Sequence, residues 1–258
     1  MTRIHNGRGP IGKLARKPVD LLVCFAVKEE ARFFVREIVH QQEVSPKSPP
    51  GVPPVPHHRE EVPNPTPRLL YQVWMTGIGR RNAVESIRQA IELVQPRRVI
   101  TSGFAGGLNP ALKFGAIVYD QDVDAGYAAK LEELGAVPAT FYCHRRVAIT
   151  AGEKRELWKS TGADAVEMES SVIRNICREQ NIPGATIRVI SDDASQDLPL
   201  DFNALMTTAD RINYAKLMWA VVSRPGRIGK LIEFQQQTMA ASRKLGALLG
   251  ELLRPKRT

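Results

Sequence analysis

Cysteine is scarce in this 258-residue chain: Cys24, Cys143 and Cys177 are widely spaced and odd in number, which excludes a disulfide framework and a zinc site built on paired thiols. Apolar runs are short. None reaches the roughly 18–20 residues that span a bilayer, and the basic N-terminus lacks the apolar stretch of a secretory signal. A cytoplasmic protein without a transmembrane segment is therefore expected. Acidic residues are missing before the first strand, where Arg3, Arg8, Lys13, Arg16 and Lys17 stand alone. With Arg254, Lys256 and Arg257 at the other end, these make up eight of the nine net positive charges. A nearly neutral body between two basic tails is unlike a nucleic-acid-binding domain, which carries its cations on a folded face. Specific nucleic-acid binding is not expected, and the tails are left to solvent or to weak peripheral contact with anionic membrane surfaces.

Large apolar residues are almost absent between about Gln41 and Arg68, where half of the eighteen prolines lie beside His57 and His58. Such a stretch cannot bury a core face and is expected to be an irregular insertion. The two histidines lack the spaced partners of a metal site. The organisation that follows is a flexible basic tail over 1–18, one folded domain over 19–253 with the Pro-rich insertion at about 41–68, and a second basic tail over 254–258. That length can bury a substantial single core.

What is present is an alternation of strands and helices. VDLLVCFA, residues 19–26, is almost continuously apolar, as expected for a strand buried on both faces. Lys28-Glu29-Glu30 then opens a helix with a core stripe of Ala31, Phe33, Phe34 and Ile38, and the two acids suit the positive end of its dipole. LLYQVWMT, residues 69–76, is a strand that ends in Gly77-Ile78-Gly79 and leads into a helix through about Val94. Asn82 stands where a dinucleotide fingerprint needs its third glycine, which weakens that reading. VITSG forms a strand from Val99 to Gly103, followed by Phe104-Ala105-Gly106-Gly107-Leu108. Further strands are expected over 115–120, over FYCHRRVAIT to Thr150 and over 186–190. Helices are expected over 127–134, 153–160, 169–179, 208–222 and 228–253, and residues 196–206 are expected as a loop. The last helix is amphipathic, fit for packing on its own core or on a second subunit. These elements imply a layered α/β fold around a mostly parallel sheet.

The segment from Gly162 to Asp193 carries the most chemistry. One strand runs to Val166 and hands over to Glu167-Met168-Glu169; the next ends in Ser191-Asp192-Asp193. Ligands in open α/β sheets lie beyond the carboxyl ends of strands, so two successive strand ends bearing acids suggest a site. The competing reading is that these acids cap helices and complement their dipoles.

Four motifs in order, Gly77-Ile78-Gly79, TSGFAGGL at 101–108, VEMES at 166–170 and VISDD at 189–193, resemble the nucleoside phosphorylase and nucleosidase family. The closest likeness within it is to the methylthioadenosine/S-adenosylhomocysteine nucleosidases. The resemblance implies a single-domain three-layer α/β/α sandwich with a central mixed, mostly parallel sheet, and cleavage of an N-ribosidic bond without a cofactor. It implies that Asp192 is the general acid for the departing purine, that Glu169 holds the ribose hydroxyls, that Met168 packs on the sugar and that Glu30 orients the attacking water. Phe104, Ala105 and Gly106 would border nucleophile and sugar, with Ser191 and Glu167 as supporting substrate contacts. The family also implies a homo-oligomer.

The chemistry fits the residue types, because departure of a base from a ribosyl centre passes through an oxocarbenium-like transition state that needs one acid for the leaving group and another carboxylate for water. For Asp192 to hold a proton at neutral pH, burial and repulsion from Asp193 would have to raise its affinity for it. Glu30 and Thr101 stand where phosphorylases of this family place arginines, which favours hydrolysis over a phosphate-dependent reaction. Arg80 and Arg81 keep phosphorolysis, with phosphate as co-substrate, as an alternative, and a catalytically silent nucleoside-binding protein is the other. Between Val118 and Gly152 the chain is shorter than in the methylthioadenosine enzymes, and Lys154 or Arg155 falls near the place of their base-stacking phenylalanine. A reduced wall around the 5′ end would admit a bulky group, and DFNALM with the C-terminal helices is similar to hopanoid-associated nucleosidases.

Overall fold

The computed structural model describes residues 4–6, 18–43, 69–207 and 228–254. The helix expected over 208–222 and most of the Pro-rich insertion and of both tails lie outside them. Within the expected N-terminal tail, Ile4–Asn6 pairs as a short strand, β1, so three residues of that stretch belong to the sheet. The other elements are β2 (Leu21–Phe25), α1 (Lys28–Glu43), β3 (Tyr71–Met75), α2 (Arg80–Val94), β4 (Val99–Gly107), β5 (Ile117–Gln121), α3 (Ala128–Glu133), β6 (Val137–Pro138), β7 (Phe141–Cys143), α4 (Ala151–Thr161), β8 (Ala165–Glu167), α5 (Ser170–Glu179), β9 (Gly184–Asp192), α6 (Phe202–Leu205) and α7 (Ile228–Leu252).

The strands form one nine-stranded sheet in the order β1-β3-β2-β4-β9-β5-β6, with β8 beside the end of β4 and β7 beside β8. β1, β3, β2, β4 and β9 run parallel; β5 against β9 and β8 against β4 are antiparallel. Period-2 alternation in the central strands feeds two cores. Leu21, Val23 and Phe25 face Phe34 and Ile38 of α1 and Leu245 and Leu249 of α7 on one side of the sheet. Leu22 and Cys24 face Ala83, Ile87 and Ala90 of α2 and Ile173 and Cys177 of α5 on the other. This is a three-layer α/β/α arrangement with a mixed, mostly parallel sheet.

Two expected boundaries shift in ways that matter for the site. β4 does not stop at Gly103; it carries Phe104-Ala105-Gly106-Gly107 as strand, because β9 and β8 supply ladder partners that far. The strand expected to reach Thr150 ends at Cys143, since β8 offers β7 only three partners. α7 closes over α1: Ser242 Oγ donates to the carbonyls of Glu29 (2.8 Å) and Glu30 (3.2 Å). That bond fixes the first turn of α1 just beyond the carboxyl end of β2.

Candidate active site

A cavity of about 1370 Å³ opens beyond the carboxyl ends of β2, β3, β4 and β9, and the residues that the resemblance implied as catalytic or substrate-binding line it: Glu30, Phe104, Ala105, Gly106, Glu167, Met168, Glu169, Ser191 and Asp192. β9 brings two consecutive residues to it, which an unbroken strand would not do. The register slips between Ala105 and Gly106, so that Ala105 opposes Ile190 while Gly106 opposes Asp192. Ser191 is the extra residue, and such a bulge re-aims the side chains beyond it.

Glu30 lies three residues after the start of its turn and reaches back to it. Its Oε2 accepts from the Ala26 and Val27 N–H groups at 3.0 and 3.2 Å, the reciprocal half of a capping box. Its Oε1 accepts from Phe104 N–H at 2.9 Å, which ties α1 to β4. Two carboxylate oxygens offer about four acceptor positions, so three protein donors leave room for about one more. Glu30 therefore caps its helix and still has an acceptor position for water. Burial pushes its carboxyl above the ordinary glutamate range, against the pull of the nearby Arg188 and of those three N–H groups.

Glu169 and Glu167 differ in how fully the protein uses them. Glu167 Oε2 accepts from the N–H of Glu169 (3.0 Å) and Ser170 (2.7 Å) and from Arg188 Nη2 (2.7 Å), and its Oε1 accepts from Ser170 Oγ (2.8 Å). Its side chain satisfies the N–H groups at the start of α5 and has little left for a ligand, so a capping role of the strand-end acids holds for Glu167. Glu169 Oε1 accepts from Gly79 N–H at 2.6 Å, whereas Oε2 has only Arg188 Nη2 at 3.9 Å among the described residues. Gly77 and Gly79 both take positive φ (82° and 84°) to present that N–H, and Asn82 closes the turn on the Ile78 carbonyl instead of opening it to a dinucleotide. Burial pushes the Glu169 carboxyl up, opposed chiefly by Arg188.

Sequence reading passed over Arg188. It sits in mid-strand on β9, 2% exposed, and the charge of its guanidinium is sustained by Glu167, Glu30 and Glu169 against burial. Its signal was an arginine inside the otherwise uncharged strand run ATIRVIS, since a buried charge demands partners. Gly103, at φ 146°, makes the space: a Cβ there would collide with both Glu30 and the Arg188 guanidinium.

Asp192 departs from expectation. Its Oδ2 is 2.5 Å from Nζ of Lys154, which is fully buried on α4, and its Oδ1 accepts from Ser191 Oγ at 2.6 Å. Asp193 gives no like-charge help, because its carboxylate turns to Ser195 N–H and Oγ at 3.0 and 2.7 Å, and those bonds hold it below the usual range. The acid at the end of β9 is thus ion-paired rather than isolated in an apolar pocket. Arg80 and Arg81 lie exposed on the first turn of α2 and do not line the cavity. The cavity is also lined by Phe33, Ile78, Leu198, Phe202, Phe234 and Met239.

A nine-stranded mixed sheet lies between helical layers, with a cavity and buried acids at its carboxyl edge, and the comparisons place this arrangement. Residues 136–223 match the phosphorylase superfamily. The 5′-methylthioadenosine/S-adenosylhomocysteine nucleosidase of Exiguobacterium is 30% identical over 183 residues, which cover 58% of this chain and 78% of that protein. Its counterpart from Bacillus cytotoxicus is 27% identical over 174 residues, 52% of this chain and 73% of that protein. The Helicobacter pylori enzyme of the same name, solved with butyl-thio-DADMe-Immucillin-A, superposes with a TM-score of 0.59 at 16% identity, covering 91% of this chain and 97% of that one. The futalosine hydrolase of the same organism gives 0.58 at 16%, covering 90% and 96%. The chain belongs to the phosphorylase superfamily, on its nucleosidase side. Among the described residues no helix is long and apolar enough to cross a membrane.

Proposed function

We propose that this protein hydrolyses the N-glycosidic bond of a 5′-substituted adenosine, with water as the nucleophile. The observation that carries the reading is the placement of Glu30, Glu169 and Asp192 around one cavity at the carboxyl edge of the sheet. Glu30, with an acceptor position left over, takes the proton of the attacking water. Glu169 Oε2, which has no partner nearer than Arg188 Nη2 at 3.9 Å among the described residues, accepts from the ribose hydroxyls, and Met168 packs on the sugar. Asp192 meets the purine at the far side of Gly106. Glutamate at the nucleophile position repels phosphate and suits water, and Arg188, the cation nearest that position, already has Glu167, Glu30 and Glu169 as partners.

The size and lining of the cavity support a bulky apolar 5′ substituent. Pockets for small ligands measure about 300–1,000 Å³, and this one exceeds that range with aromatic and aliphatic walls besides the carboxylates. A lipid-linked adenosine, as for hopanoid-associated nucleosidases, suits that wall better than a methylthio group alone. Incubation of the full chain with adenosines of increasing 5′ apolar size, with and without phosphate, tests both parts. Free adenine and free ribose product in phosphate-free buffer, with kcat/KM rising with 5′ apolar size, is the expected result. A strict phosphate requirement would sink hydrolysis, and preference for unsubstituted adenosine would sink the 5′ assignment.

A further inference from the structure

Lys154 is out of place by every local rule. It lies in the first turn of α4, behind the Thr150 cap, where the helix dipole disfavours a cation. It is also fully buried, which lysine almost never is without partners. Its ammonium has three donors, and each has an acceptor: Asp192 Oδ2 at 2.5 Å, the Asp193 carbonyl at 2.8 Å and the Gln196 carbonyl at 2.8 Å. The side chain does not line the cavity; it stands behind Asp192, with its stem near Gly106. Asp192 is the member of the ion pair that lines the cavity.

We propose, on the nucleosidase reading above, that Lys154 is a positioning residue that stores the proton the leaving base receives through Asp192. In the ion pair the proton is held on Lys154 Nζ. As the C1′–N9 bond breaks, its electron pair passes to the base, the base takes a proton from Asp192 at N7, and Asp192 takes one from Lys154. On the other face water bonds to C1′ and gives its proton to Glu30. Lys154 is left as a neutral amine and Asp192 again as a carboxylate: two N–H groups of the amine remain for the two carbonyls, and Asp192 keeps Ser191 Oγ as its donor. Once the products leave, Glu30 loses its proton to solvent and Lys154 regains one through Asp192. The pair is fully satisfied only while the proton is on Lys154, which favours its return after each turnover.

The test separates proton supply from mere packing. Lys154→Met and Lys154→Gln, the latter keeping amide donors for the two carbonyls, are assayed on 5′-methylthioadenosine and on p-nitrophenyl 5-methylthioriboside, whose phenolate leaves without a proton. A loss of about 10²–10⁴-fold in kcat on the nucleoside, the usual worth of general acid catalysis, is expected with little change in KM. Cleavage of the aryl riboside is expected to stay within about threefold of the parent, since no acid acts there. Nucleoside turnover preserved in either folded variant overturns the proposal, as does any loss on the nucleoside not accompanied by retained aryl cleavage. A parent enzyme that cleaves neither these substrates nor adenosines with longer apolar 5′ groups sinks the nucleosidase reading itself, and the inference with it.

Discussion

The two ends of the cavity hold buried charge in opposite ways. Around Arg188 three carboxylates, Glu30, Glu167 and Glu169, share one cation, whereas Asp192 has Lys154 to itself. The first gathers more carboxyls than cations beside the place proposed for the ribosyl carbon, where positive charge would develop, and burial pushes the Glu169 carboxyl up to about 8. The second is a matched pair next to the group that needs a proton. A surplus of carboxyls lies at one end and a matched ion pair at the other, the asymmetry that the proposed cleavage of a ribosidic bond would use.

Substituting Asp192 should break this asymmetry most severely. Asp192→Asn removes the relay to the base and should lower kcat by about 10²–10⁴-fold. The amide oxygen can still accept from Lys154, so the variant should fold, with a lowered melting temperature by circular dichroism. Turnover within tenfold of the parent would take Asp192 out of the role.

Arg188→Met tests the other end through stability rather than rate. Removing one partner of a buried charge cluster costs about 3–5 kcal/mol, read from the denaturant midpoint at pH 7. The sign of its pH dependence follows from Glu30 and Glu169, whose folded carboxyls are raised from 4.5 and restrained by Arg188. A raised carboxyl binds its proton more tightly in the native state, so its contribution is present below pH 4.5 and is lost as pH rises through the folded value. Without Arg188 both values climb further. The deficit of the variant should therefore be largest at neutral pH and shrink toward pH 4; a deficit independent of pH would show that Arg188 only fills space.

Most of the layered fold was legible because it rests on local pattern. The apolar run 19–26, the alternation at 69–76 and the stripe of α1 fix the elements without long-range information. The acids at the ends of β8 and β9 were legible as a site for the same reason, since strand ends are readable and ligands sit beyond them. Which acid does what was not. Glu167 and Glu169 are two residues apart and chemically identical, and only the path of the Ser170 N–H separates cap from ligand group. The bulge that aims Ser191 and Asp192 together depends on pairing with β4, nearly ninety residues earlier. Lys154 meets Asp192 across 38 residues, and nothing in the register of α4 beyond its spacing to Leu157 marks it as inward-facing.

The mildest test concerns the protonation of Glu30. To accept the proton of water it must be ionised, and burial raises its carboxyl above 4.5. The acid limb of kcat/KM should accordingly fall above pH 4.5, since that limb reports the free enzyme's essential base. Arg188→Met should move the limb further up, because it removes the chief electrostatic restraint on Glu30. Lys154→Gln, at the other end of the cavity, should lower the rate without moving the limb. The two substitutions thus separate the ends kinetically: one shifts the pH at which water is activated, the other changes only how readily the base departs. A limb at or below pH 4.5, or one displaced equally by both substitutions, would mean that Glu30 serves the first turn of α1 alone and that another group activates water.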